Sequence, residues 1–176
     1  MSVGEVRPGY ELWRPNREKT ESVTTKFVIV LLFAVTAALA ILVAITGFSL
    51  MSGGTAMAVV TLIYGLLYAF FAFLVFRWNR GILPVAAALS IILAIFCAVG
   101  ANSWFARDKS GFEEGLIPVT LIGLFVVILG LLQIVVMVAA IYGFNQEWHV
   151  EEERLLGSGE DYGAGAPPEN GAPQPA

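Results

Sequence analysis

The sequence predicts an all-α fold: an integral membrane four-helix transmembrane bundle with a disordered C-terminal tail. Three observations carry that expectation. Of the 176 residues, 57% are hydrophobic and only 14% charged, and the mean hydropathy is +0.77, well beyond a soluble domain. Every Lys, Arg, Asp and Glu falls in the two tails or in two short connections, which leaves long charge-free stretches of the kind that cross bilayers. Turn-forming residues separate those stretches. The net charge of -4 combines an N-terminal tail that is basic in balance with an acidic C-terminal tail, so the net value says nothing about partners.

Residues 1–26 are polar, contain Pro8 and Pro15, and lack the apolar core of a secretory signal. They read as a cytoplasmic N-terminal tail. Within it, "YELW" at Tyr10 to Trp13 places two aromatics in polar surroundings, a segment expected to rest on lipid headgroups, with a short docking segment as the alternative. The transmembrane domain spans 27–144. Its first span, Phe27 to Leu50, runs 24 residues without a charge, enough to cross about 30 Å of hydrocarbon at about 1.5 Å per residue. "MSGGT" follows, and Gly53 with Gly54 permits a tight reversal. Residues 56–76 form the second span. Gly81 and Pro84 in "RWNRGILP" suit a short connection with proline in the first turn of the next helix. The third span is 82–101. Asn102 to Gly115 is the one connection with room for structure, and Trp104 and Phe105 are expected to seat it at the interface. The fourth span, 116–144, would reach about 43 Å and so must tilt or project. Residues 145–176 form an acidic, Pro/Gly/Ala-rich cytoplasmic tail, which beyond Leu156 cannot bury enough apolar surface to order itself.

Orientation follows from Lys and Arg placement. Arg7, Arg14, Arg17, Lys19, Lys26, Arg77, Arg80 and Arg154, eight of the ten, fall on one side, against Arg107 and Lys109 on the other. Both termini are therefore expected in the cytoplasm, with the chain multi-pass in the plasma membrane and Trp78 as an interfacial anchor. The alanine and glycine richness is that of a high-GC bacterial chain.

Helices in lipid associate through close backbone approach at small residues and a few polar contacts. The third span carries Ala86, Ser90, Ala94 and Ala98, a small residue at every fourth position, which predicts a smooth groove that receives a neighbouring helix. Gly65 with Ala69, and Gly123 with Gly130 one heptad apart, are further helix-packing candidates. Tyr64, Tyr68 and Phe71 give the second span an aromatic ridge that serves packing, because no span holds a histidine or other axial ligand. Cys97 stands alone inside a span, so no intramolecular disulfide forms.

Intramembrane ionisable groups mark ion paths and proton relays, and the four spans contain none. Gln133 is the strongly polar residue deep within a span, and is expected to make an interhelical hydrogen bond. At the far end of the last span lies the single histidine, His149. Should that helix run on past Phe144, His149 would sit three and four residues before Glu152 and Glu153. One imidazole and a set of repelling carboxylates do not make a metal site. Instead Trp148 is expected to anchor at the interface, with Glu151, Glu152 and Glu153 in water or in ionic contact with the basic N-terminal tail or a soluble partner.

No nucleophile with a base, no phosphate-cradling glycine loop and no CxxC pair occurs. The sequence thus predicts a non-enzymatic accessory or scaffold subunit that works through helix packing and its cytoplasmic tails. The alternative is an oligomeric pore or carrier for a neutral or lipidic solute with Gln133 and the hydroxyls of Thr36, Thr46, Thr61, Ser90 and Thr120 in its path. The expected surroundings are the lipid bilayer and a larger membrane-protein complex or a homo-oligomer, with no cofactor, no metal and no nucleic acid.

Overall fold

The structure, a computed structural model, describes residues 10–51, 54–107 and 116–155, with backbone only at 153–155. The expected tail disorder beyond Leu156, the N-terminal residues before Tyr10, and Lys109 lie outside the described residues. In chain order the elements are β1 (Tyr10–Trp13), α1 (Pro15–Glu18), α2 (Thr20–Thr46), α3 (Gly54–Phe76), a 3-10 turn (Arg80–Ile82), α4 (Leu83–Phe105), α5 (Val119–Asn145) and β2 (Glu152–Leu155). Helices α2, α3, α4 and α5 are each long and apolar enough to cross a membrane. They belong to one compact unit, Asn16–His149, and the two strands to another.

Within the helical unit α2 packs along α3 and α5, and α5 packs along α4, whereas α3 and α4 barely meet. The short connection between α2 and α3 makes these neighbours antiparallel. The gap between α3 and α4 is bridged by aromatic side chains. Tyr68 donates its hydroxyl to the Ala86 carbonyl at 3.3 Å, and Tyr64 meets Phe96 edge-on, with centroids 6.4 Å apart. Phe33 of α2 completes the ridge at 5.5 Å from Tyr68 and 6.4 Å from Phe71, edge-to-face and tilted contacts that suit ring quadrupoles.

The helix ends depart from the apolar boundaries, each for a local reason. Helix α2 begins at Thr20, seven residues before the charge-free stretch, because an acidic residue in its first turn, Glu21, favours the positive end of the helix dipole. It stops at Thr46 and not at Leu50: the amides of Leu50 and Met51 both turn back to the Gly47 carbonyl, and Gly54 follows with φ 64°, a conformation open to glycine. Helix α4 runs on to Phe105. Trp104 is therefore no interfacial seat: it is buried at the place where a Cβ on Gly47 would come within 2.6 Å of its ring and one on Gly123 within 3.1 Å of its Cβ. Helix α5 starts at Val119, after Pro118 has fixed an extended backbone.

Helix α3 ends in a Schellman-type turn. The Asn79 amide bonds the Leu74 carbonyl at 3.0 Å, and Trp78 occupies the left-handed position with φ 65°, a place glycine usually fills. Helix α5 does not continue towards His149. It ends at Asn145 and the chain reverses through Glu147, φ 50°. His149 consequently shares no helix face with Glu152 and Glu153, which lie in β2.

In the other unit, β1 and β2 form an antiparallel pair, with Tyr10 opposite Leu155 and Trp13 opposite Glu152. "YELW" is thus a paired strand. Arg14 donates to Glu151 Oε1 from Nε at 2.8 Å and also from Nη2, an ion pair whose two side chains are both well exposed.

Candidate functional site

Two features of the helical unit have the chemistry of a site. The first is a groove of about 680 Å³ lined by α4 and α5 alone. Its floor is open because the residues there are small: Ala94, Ala98 and Ala101 from α4 and Gly130 from α5. Gly130 sits so close to α4 that a Cβ would stand 2.9 Å from the Cys97 Cβ. Ile91, Ile95, Leu131 and Ile134 form exposed rims.

Gln133 also lines this groove and is 1% exposed. Its Nε2 donates to the Leu129 carbonyl one turn back at 3.1 Å and reaches Thr36 Oγ1 on α2 at 3.4 Å. Its Oε1 is buried without a hydrogen-bond partner. An amide carbonyl in an apolar setting costs about 1–3 kcal/mol when left unmet, and the four helices leave this one unpaired.

The remaining packing candidates divide. Ala86 and Ser90 are fully buried, and the Ser90 hydroxyl donates to the Ala87 carbonyl at 2.8 Å. Ala94 is half-buried and Ala98 exposed, so the small-residue row begins in the core and ends in the groove. A Cβ on Gly65 would meet Ile41 Cγ1 at 2.6 Å and the Ala37 carbonyl at 3.2 Å, which marks close approach of α3 to α2. Ala69 does not share that face; it is exposed. The buried line after Gly65 continues through Tyr68, Ala72 and Val75, a 3-4-3 spacing that leaves a residue four positions on at the flank. Gly123 and Gly130 both face α4.

The second feature lies at the end of the unit where α2 begins and α5 stops. Trp148 is fully buried, not an interfacial anchor. It stands edge-on to Trp78, with centroids 5.4 Å apart at 89°, its indole N–H donates to Gln146 Oε1 at 3.0 Å, and its carbonyl accepts from Arg17 Nε at 3.0 Å. Gly143 makes the room, since a Cβ there would touch Ile29, Leu83 and Trp148. Around the tryptophans gather cations: Lys26 Nζ lies 4.2 Å from the Trp78 ring, Arg17 5.6 Å from the same ring, and Arg80 4.3 Å from Phe144. Arg80 also donates to His149 Nδ1 at 2.6 Å. Tyr142 donates to Glu21, and Gln146 to Thr25 at 2.9 Å.

Glu151 meets Arg14 within the strand unit. Glu152 is exposed there and pairs through its backbone with Trp13; the Glu153 side chain lies outside the described residues. Among the described residues no three His, Cys, Asp or Glu side chains gather as metal ligands. The cation–tryptophan cluster escapes sequence reading because Arg17, Lys26, Trp78 and Trp148 belong to three distant segments. Its one local signal is a tryptophan just after the last turn of two different helices.

Compared with known proteins, the chain matches no protein-family model, no curated protein and no solved structure.

Proposed function

We propose that this small polytopic membrane protein is a non-enzymatic accessory or scaffold subunit of a larger membrane complex, held in the plasma membrane with both termini in the cytoplasm. One observation supports the reading above the rest: the α4–α5 groove combines a floor of Ala94, Ala98 and Gly130 with an unmet acceptor on Gln133. Small residues let a foreign helix backbone come close, and an interhelical hydrogen bond in lipid contributes about 0.6–2 kcal/mol. A partner span seated on that floor meets the first demand, and a hydroxyl or amide donor on it that draws the buried Gln133 amide outward meets the second. The strand unit, with its exposed Arg14–Glu151 pair, adds little on its own, since such pairs contribute about 0–1 kcal/mol, and it suits a reversible cytoplasmic contact.

Affinity purification from native membranes in mild detergent, read by mass spectrometry, tests the proposal. Wild-type protein is expected to retain a larger membrane protein in fixed stoichiometry, Ala98→Leu to lose most of it, and Gln133→Leu to weaken it by about threefold to thirtyfold, the affinity equivalent of one intramembrane hydrogen bond. A homo-oligomer without any other protein, combined with flux of a neutral or lipidic solute through proteoliposomes, would instead establish the pore or carrier reading.

A further inference from the structure

At the aromatic end of the bundle Lys26 is 7% exposed, and its ammonium is underused. One donor reaches the Phe76 carbonyl at the long distance of 3.5 Å. The rings of Trp78, Phe27 and Phe76 surround it at 4.2, 5.0 and 5.1 Å. Rings attract a cation but accept hydrogen bonds poorly, and an ammonium carries three donors. The carboxylate five residues earlier on the same helix, Glu21, is engaged by Tyr142. Among the described residues no carboxylate pairs with Lys26 or with Arg77. Arg77 is exposed, with its guanidinium 5.8 Å from Phe73, and Arg17 brings a further positive charge to 5.6 Å from the Trp78 ring.

We propose that Lys26 and Arg77, reinforced by Arg17, form a headgroup site for one anionic phospholipid. The setting selects that ligand. Phe27, Phe73 and Phe76 are each 53% exposed, so a lipid-facing surface carrying exposed Arg77 runs beside the buried Lys26 ammonium, at the level where a span meets the headgroup layer and aromatic belts gather. A phosphodiester oxygen fills the open ammonium donors with a charge-assisted bond, and its acyl chains lie along the phenylalanines below. A choline headgroup would bring a fourth cation into a cluster that already holds three, so the site discriminates against zwitterionic lipid. The headgroup site lies apart from the α4–α5 groove and needs no partner protein.

Native mass spectrometry of the purified full chain in detergent, titrated with phosphatidylglycerol, with phosphatidylcholine and with inorganic phosphate, reads the site directly. Wild-type protein is expected to retain one phosphatidylglycerol selectively. Lys26→Gln and Arg77→Gln are each expected to weaken that retention about tenfold, as loss of a charged hydrogen bond does. Arg107→Gln, at the opposite end of the bundle, is expected to leave it unchanged. Because Arg77 is exposed, Arg77→Gln carries the test even if Lys26→Gln fails to fold. Equal retention of both lipids by the wild type, or unaltered phosphatidylglycerol retention in Arg77→Gln, overturns the proposal. So does inorganic phosphate that displaces the lipid, which would make this a site for a free anion.

Discussion

At the scale of single residues, what matters in this chain is how close two backbones come. Gly65 and Gly130 have no room for a methyl group: the added carbon would sit 2.6 Å from Ile41 Cγ1 in one case and 2.9 Å from Cys97 Cβ in the other. The Cys97 neighbour is a Cβ fixed to its helix, so relief requires α4 and α5 to separate along their contact. Overpacking of this kind costs about 1–3 kcal/mol. Gly65→Ala and Gly130→Ala are thus expected to lower the unfolding midpoint in detergent by that free energy, while Ala69→Leu, on an exposed position, changes it by less than about 0.5 kcal/mol. Circular dichroism against added sodium dodecyl sulfate measures all three. Gly65 and Ala69 show how much of a small-residue pattern the sequence can convey. The spacing identifies candidates, but the buried face drifts as α3 crosses α2, and only the glycine remains on it.

At the scale of elements, the four spans were legible because a helix in hydrocarbon must be free of charge along its length, and that constraint writes itself into the sequence without help from tertiary structure. Their ends were less so. Helix α4 gains its last turn from Trp104 fitting beneath Gly47, and α5 loses its extension because Trp148 folds back over Gly143; both depend on partners far away in the chain. The strand pair was illegible for the same reason, as β1 and β2 are separated by the entire bundle and no hairpin turn announces them. Among these elements the Trp148 turn is the most consequential, since it seals one end of the helical unit. Trp148→Ala removes a fully buried indole that contacts Trp78, and the expected loss is about 3–5 kcal/mol. Amide exchange provides the check: protection should fall first in 143–149 and at the Trp78 turn, with the Gln133 level of α5 affected least. A uniform change along α5 would mean that the turn and the helix form a single cooperative unit.

At the scale of the whole molecule, the two ends of the helical unit differ in kind. One collects Arg17 and Lys26 at Trp78, Arg77 at Phe73 and Arg80 at Phe144, and the other, among the described residues, carries Arg107 beside Trp104. Insertion responds to such Lys and Arg asymmetry near span ends, so the basic end is expected to face the cytoplasm. The tight packing of the chain makes this testable with little disturbance, because its one native cysteine, Cys97, is buried and need not be removed. A cysteine introduced at exposed Glu147 is expected to react with a membrane-impermeant maleimide only after the cells are opened. One introduced at Arg107, which follows the last turn of α4 at the other end, should react on intact cells. Labelling of Glu147→Cys on intact cells would invert the topology, and with it the leaflet from which the Lys26 site draws its lipid. Equal labelling of both positions before and after opening would show that the four helices insert without a fixed direction, and that the charge difference between the ends is too small to decide it.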